Sequence, residues 1–293
     1  MERGYIPVSA LESFSYGSVL DYLPPKDLIA FTDQLLAYGS VGAWTALTIL
    51  FLHGRDEKEH WDTYKLQFRK ILLHSELNFI AQPKMMDLYH WQDVAIKLLE
   101  ERDSDLARTL ITKIIAACTA MHSYVAFDNA FQPVLQSLLE HHRDAVWPLL
   151  SVALLSDDTL MVHCLSDLLG SRFGREESPG VLFTLPDEFL LAWCQAHPTV
   201  APAVLARVMP LLHHEGGNWT WQPLARAIID RYGQQRLVLS ALTANLGSYS
   251  GWGSLVLYYE RQVHPLEQLL IHRITEVRHW AGEQLRHVRQ QIG

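Results

Sequence analysis

No CxxC pair, no phosphate-cradling GxxxxGK(S/T) loop, no HExxH helix and no GxSxG elbow occur in this chain of 293 residues. Each absence removes a class of chemistry: zinc ribbons and dithiol redox sites, P-loop nucleotide hydrolysis, zincin-type proteolysis and α/β-hydrolase catalysis. The three cysteines, Cys118, Cys164 and Cys194, are far apart and lie in apolar helical stretches, so they read as buried free thiols in a reducing compartment. The opening residues, MERGYIPVSALESF, lack an apolar signal region. The most apolar run, Val41–Leu52, is shorter than the roughly 20 residues a membrane span needs. A cytoplasmic protein with no membrane contact is therefore expected. Strand signals are nearly missing, and only Val181-Leu182-Phe183 resembles one. Cations are outnumbered, 24 Lys and Arg against 32 Asp and Glu, which gives a net charge of −8. Such a mean field repels a phosphate backbone, so a nucleic-acid partner is not expected.

What is present is helical periodicity. Hydrophobic residues make up 49% of the chain and charged residues 19%, a composition that folds around a core. Pro24-Pro25 opens a helix carrying Leu28, Phe31, Leu35 and Leu36 on one side and ending at Gly39. Ser40 is placed to cap the next helix, from Val41 to His53, and Ser104 to cap one that begins at Asp105. Ser156 and Asp157 start another that runs towards Gly170. Short connections between such helices favour antiparallel neighbours.

The most informative feature is an internal repeat. Trp91–Glu100 (WQDVAIKLLE), Phe131–Glu140 (FQPVLQSLLE) and Trp221–Asp230 (WQPLARAIID) each open on an aromatic residue followed by Gln and close on an acid. Each places apolar residues at the same four offsets: Val94, Ala95, Leu98, Leu99; Val134, Leu135, Leu138, Leu139; Leu224, Ala225, Ile228, Ile229. A second helical segment follows every copy after a short turn, and a weaker copy lies at Asp187–Ala196. One helix pair cannot cover its own apolar face, whereas a row of pairs can. The expected fold is all-α: a single helical-repeat domain over 1–293, an α-solenoid of stacked antiparallel helix pairs, with an insertion loop at 171–184 and a capping helix at 273–292.

Candidate chemistry is thin. His213-His214-Glu215 could supply nitrogen and oxygen to a metal, but neighbours on a helix diverge by about 100°, and a polar cluster at a helix C-terminus is the stronger reading. His141-His142 reads the same way. His53 and His60 flank a mixed-charge run that suits a solvated loop. Cys194 has only His197 nearby as a base, which suits an inert thiol. Trp91 and Trp221 occupy equivalent repeat positions and read as core. Trp219 and Trp252 lie beside Gly and Ser in GGNWTW and SYSGWGS, where packing between repeats is the stronger reading and an exposed aromatic that anchors a partner is the alternative. The last helix is basic and amphipathic, with Arg273, Arg278, Arg286 and Arg289 beside an apolar side of Val277, Trp280, Ala281, Leu285 and Val288. A polar outer face suits a terminal cap, and contact with a phosphate or an acidic partner is the alternative.

The stretch HRITEVRHWAGEQL (His272–Leu285) resembles the second half of a HEAT repeat, with Val277-Arg278 after the turn and Ala281 as the small residue at the helix–helix contact. Residues Gly247–Ile292 are similar to the closing segment of HEAT-like C-terminal regions in large bacterial proteins. Several of those carry an NTPase or nuclease part and act in defence against phage. The resemblance implies a HEAT-like or ARM-type superhelix serving as a scaffold or sensing surface, and the missing motifs leave no catalytic, cofactor or metal residues to expect. The expected function is a non-catalytic protein-interaction module that meets a protein partner through Trp219, Trp252, Arg273 and Arg278. Two alternatives stand beside it: a HEAT-like nucleic-acid-binding protein or DNA glycosylase, and an immunity-type inhibitor of a basic partner.

Overall fold

The computed structural model describes Leu20 and residues 22–53, 58–80, 83–120, 128–170, 180–248 and 254–293, with side chains from 60 and from 130 onward in the third and sixth helices. The described chain is mostly helical and divides into two compact units, Met1–Ala153 and Leu154–Gly293.

In the first unit, α1 (Pro25–Leu35) begins with a proline, whose missing N–H is no loss in a first helical turn. A 3₁₀ turn at Leu36–Tyr38 leads to α2 (Gly39–Leu52), whose Gly42–Leu50 stretch is buried all round, so α2 forms the centre of this unit's core. Pro25–Leu52 is long and apolar enough to cross a membrane by composition, but 61% of its apolar window is buried within the protein. Next come α3 (Lys58–Leu73), α4 (Met85–Leu99), α5 (Ser104–Ala120) and α6 (Asp128–Leu154). Asp103, not Ser104, caps α5: its Oδ1 accepts the Asp105 and Leu106 N–H groups, both at 3.1 Å. The short turn expected after Glu140 is a break at a single residue, His142, where φ is −133° and ψ 24°.

In the second unit, α7 (Thr159–Leu169) is capped by Asp158, which accepts the Met161 N–H at 3.1 Å. There follow α8 (Asp187–Ala196), α9 (Ala201–Val208), a β-hairpin, α10 (Pro223–Tyr232), α11 (Arg236–Gly247), α12 (Leu255–Leu269) and α13 (Thr275–Ile292). The expected insertion falls mostly on 171–179, outside the described residues. Val181-Leu182-Phe183, the one strand-like stretch, lies in a 3₁₀ turn, Val181–Thr184.

The hairpin corrects the helical reading of His213-His214-Glu215. β1 (Leu212–Glu215) pairs antiparallel with β2 (Asn218–Trp221), with His214 opposite Trp219. Gly216 and Gly217 close it at φ 58° and 87°. A type I′ turn, which follows the right-handed strand twist, has positive φ at both positions, and glycine adopts it without steric cost. The third repeat copy is therefore helical only from Pro223, and its leading Trp221 stands at the end of a strand.

Burial follows the repeat. All twelve offset residues in the three copies are at most 6% exposed, and the leading Trp91, Phe131 and Trp221 at most 5%. Helices touch their second neighbours as well as their first: α1 with α3, α2 with α4 and α3 with α5 in one unit; α7 with α9, α8 with α10, α9 with α11 and α11 with α13 in the other.

Polar contacts keep the same step. In the first unit Thr48 donates to Asp87 (2.7 Å, 39 residues on), Lys113 to the Leu72 carbonyl (2.7 Å, 41 residues back), and His142 Nε2 lies 2.7 Å from the Leu99 carbonyl, 43 residues back. In the second, Asn245 donates to the Ala206 carbonyl (2.9 Å, 39 back), Trp280 to Thr243 (2.8 Å, 37 back) and Trp221 to the Pro265 carbonyl (2.8 Å, 44 on). These donors satisfy acceptors 37 to 44 residues away and hold the packed helices of each unit in register.

Candidate interaction surface

Trp219 lies on β2, where the hairpin face it shares with His214 and Trp221 is turned towards α12. The Arg261 guanidinium sits 5.2 Å from the Trp219 ring centroid and 4.4 Å from that of Tyr258, and the His214 ring meets Trp219 edge-on at 5.5 Å. This half-buried tryptophan is held by cation–π and edge contacts. Trp252 lies outside the described residues.

Arg273 and Arg278 come together at the turn between α12 and α13, at the C-terminal end of α10. Arg273 is exposed, and its Nη2 donates to the Asp230 carbonyl at 3.1 Å. Arg278 folds back along its own helix start. Its Nη1 donates to the His272 and Arg273 carbonyls (2.7 and 3.2 Å) and its Nη2 to Thr275 Oγ1 (3.0 Å). Arg278 thereby fastens the turn, while Arg273 faces solvent beside it.

Sequence reading missed the pair that organises this turn. His272 has a side chain only 3% exposed, with Nε2 2.7 Å from Asp230 Oδ1. Its Nδ1 accepts the Ile274 N–H at 3.2 Å, so the imidazole carries its proton on Nε2 and donates it to Asp230. Arg226 pairs with the same carboxylate at 3.0 Å. The available signal was the acid that closes each repeat copy. Its partner, 42 residues away, was not visible in the linear chain.

The remaining candidates assemble no reactive constellation. His213 Nε2 lies 3.3 Å from both Glu215 Oε2 and Thr220 Oγ1 on the hairpin, and no group of three or more His, Cys, Asp or Glu suited to a metal occurs among the described residues. His60, whose pKa burial lowers, lies edge-on to Tyr64 at 4.7 Å, and His53 meets the same ring at 6.0 Å. Burial pushes the Cys194 thiol up to about 12, which keeps it protonated and unreactive. Of the nine tryptophans, Trp44, Trp91, Trp193, Trp221 and Trp280 are buried, so most of this side chain's abundance serves packing.

Comparison with protein families, with characterised proteins and with solved structures finds no match. The chain's own elements make it mostly helical, with a two-stranded hairpin in the second unit.

Proposed function

We propose that this chain is a non-catalytic, HEAT-like helical-repeat scaffold or sensor whose work is to bind another protein. The observation that carries this reading is the separation of roughly forty residues that recurs in the hydrogen bonds within each unit, together with the second-neighbour helix contacts. Helix pairs stacked at that step form an α-solenoid, and such a stack offers rows of turns and helix faces as a long contact surface. Arg273 and the half-buried Trp219 supply the kinds of side chain that anchor protein interfaces. The burial of five tryptophans favours this reading over a glycosylase whose groove would need them exposed.

The test is affinity capture with the purified full chain, followed by mass spectrometry and reconstitution of the recovered partner. A protein that co-elutes with the chain in fixed stoichiometry is the expected result. Recovery of nucleic acid alone, or turnover of a small molecule by the isolated chain, would overturn the scaffold reading.

A further inference from the structure

Beyond residue 113 the chain contains no lysine, so its side-chain cations there, histidine aside, are arginines. In the second unit several of them collect on one edge. The turns between paired helices are tied in a row: Gln235, at the start of α11, donates to the Pro198 carbonyl at 2.9 Å, and Arg273 and His272 reach Asp230 at 3.1 and 2.7 Å. Gly233 lets the middle turn close on α13, since a Cβ there would stand 2.4 Å from Val277 Cγ2. The turn segments 226–237 and 270–278 carry five arginines against two carboxylates, Asp230 and Glu276, in a chain whose mean charge is negative. Asp230 is already engaged by Arg226 and His272. Arg231 and Arg236 are exposed and enter no ion pair with the described residues. Two large aliphatic side chains stand among them in water, Ile271 at 88% and Leu237 at 66% exposure.

We infer that this edge binds an acidic polypeptide segment that carries apolar residues between its carboxylates, an assignment that rests on the scaffold reading above. Arginine's planar fork matches carboxylate geometry in two parallel hydrogen bonds. Exposed Leu and Ile beside it favour a ligand with aliphatic side chains of its own. A phosphate backbone brings none, and it would meet Glu276 and the chain's overall negative field.

The test measures anisotropy of a fluorescein-labelled synthetic peptide of Glu-Glu-Leu triplets titrated with the full chain. Saturable binding is expected, weakened roughly tenfold or more by the double charge reversal R231E/R236E. It is weakened as well by L237S/I271S, with unchanged circular dichroism because all four side chains are exposed. No binding at low salt, or binding indifferent to R231E/R236E, overturns the assignment. So does equal binding of a generic DNA duplex with a steep salt dependence and no response to L237S/I271S, which would give the edge to nucleic acid. If the partner recovered by affinity capture binds R231E/R236E as tightly as the unaltered chain, the edge assignment fails while the scaffold reading stands. If no protein partner is recovered at all, it is the scaffold reading that fails.

Discussion

The ring contact between Trp91 and Phe131 joins the first residues of two successive repeat copies, and a double-mutant cycle measures their coupling. The two centroids are 5.7 Å apart with planes at 70°, an edge-to-face arrangement. Phe79 completes a triangle, 5.0 Å from Trp91 and 4.7 Å from Phe131, both edge-on. All three rings are at most 1% exposed. Truncating either leading residue to alanine would cost about 3–5 kcal/mol, a large share of a stability of roughly 5–15 kcal/mol. Leucine is the better probe, because it retains much of the apolar volume while removing the ring. A double-mutant cycle over Trp91→Leu and Phe131→Leu, followed by urea unfolding, is expected to give a coupling of about 0.5–1.5 kcal/mol beyond the single effects. Effects that add to within roughly 0.3 kcal/mol would mean the two copies do not touch through these rings, and the stacked reading of the first unit would lose its support.

Three further outcomes follow from named contacts. His272→Phe removes the 2.7 Å bond to Asp230 and the acceptor of the Ile274 N–H, so a loss of about 1–3 kcal/mol in denaturant unfolding is expected; a change within about 0.5 kcal/mol would contradict the role given to that turn. Gly233→Ala drives a methyl group to 2.4 Å from Val277 Cγ2 and 2.5 Å from the Ile229 carbonyl, so a clear fall in melting temperature is expected, and unchanged melting would refute the close approach. The Arg69 guanidinium, together with the α5 N–H groups, holds the Asp103 carboxyl below its ordinary value. Its folded pKa is depressed, so its contribution is fully present above the unfolded carboxylate range and disappears as pH falls through the folded value. Asp103→Asn should therefore flatten the acid limb of the stability curve below about pH 4, and an unchanged limb in this variant would show the pair to be inconsequential.

The helical class was legible because it rests on local periodicity. The offsets from Val94 to Ile229 needed only the 3.6-residue step, and Asp187–Ala196 was delimited as it occurs. The hairpin was missed because β1 holds two histidines and a glutamate, with Leu212 its one apolar residue, so its alternation is faint. The Gly216-Gly217 pair before Trp219-Thr220-Trp221 was a usable hairpin signal that was passed over. Asp103 displaced Ser104 as a cap because a carboxylate that also pairs with Arg69 accepts two N–H groups at once. The break at His142 had no glycine or proline to announce it. It is secured by a bond to Leu99, distant in sequence. Of the four proposed partner residues, Arg273 and Arg278 were placed together by the turn they share. Arg231 and Arg236 escaped notice because only bonds between turns bring separate helix pairs into line.

The most direct measurement of stacking at one repeat is a set of through-space NMR contacts from the tryptophan indole protons. The Trp280 indole N–H, which donates to Thr243, should show Overhauser contacts to the Thr243 side chain, and that of Trp221 to protons around Pro265. Indole protons that show contacts only within their own helix or strand, with none to residues about one repeat away, would contradict the stacked arrangement.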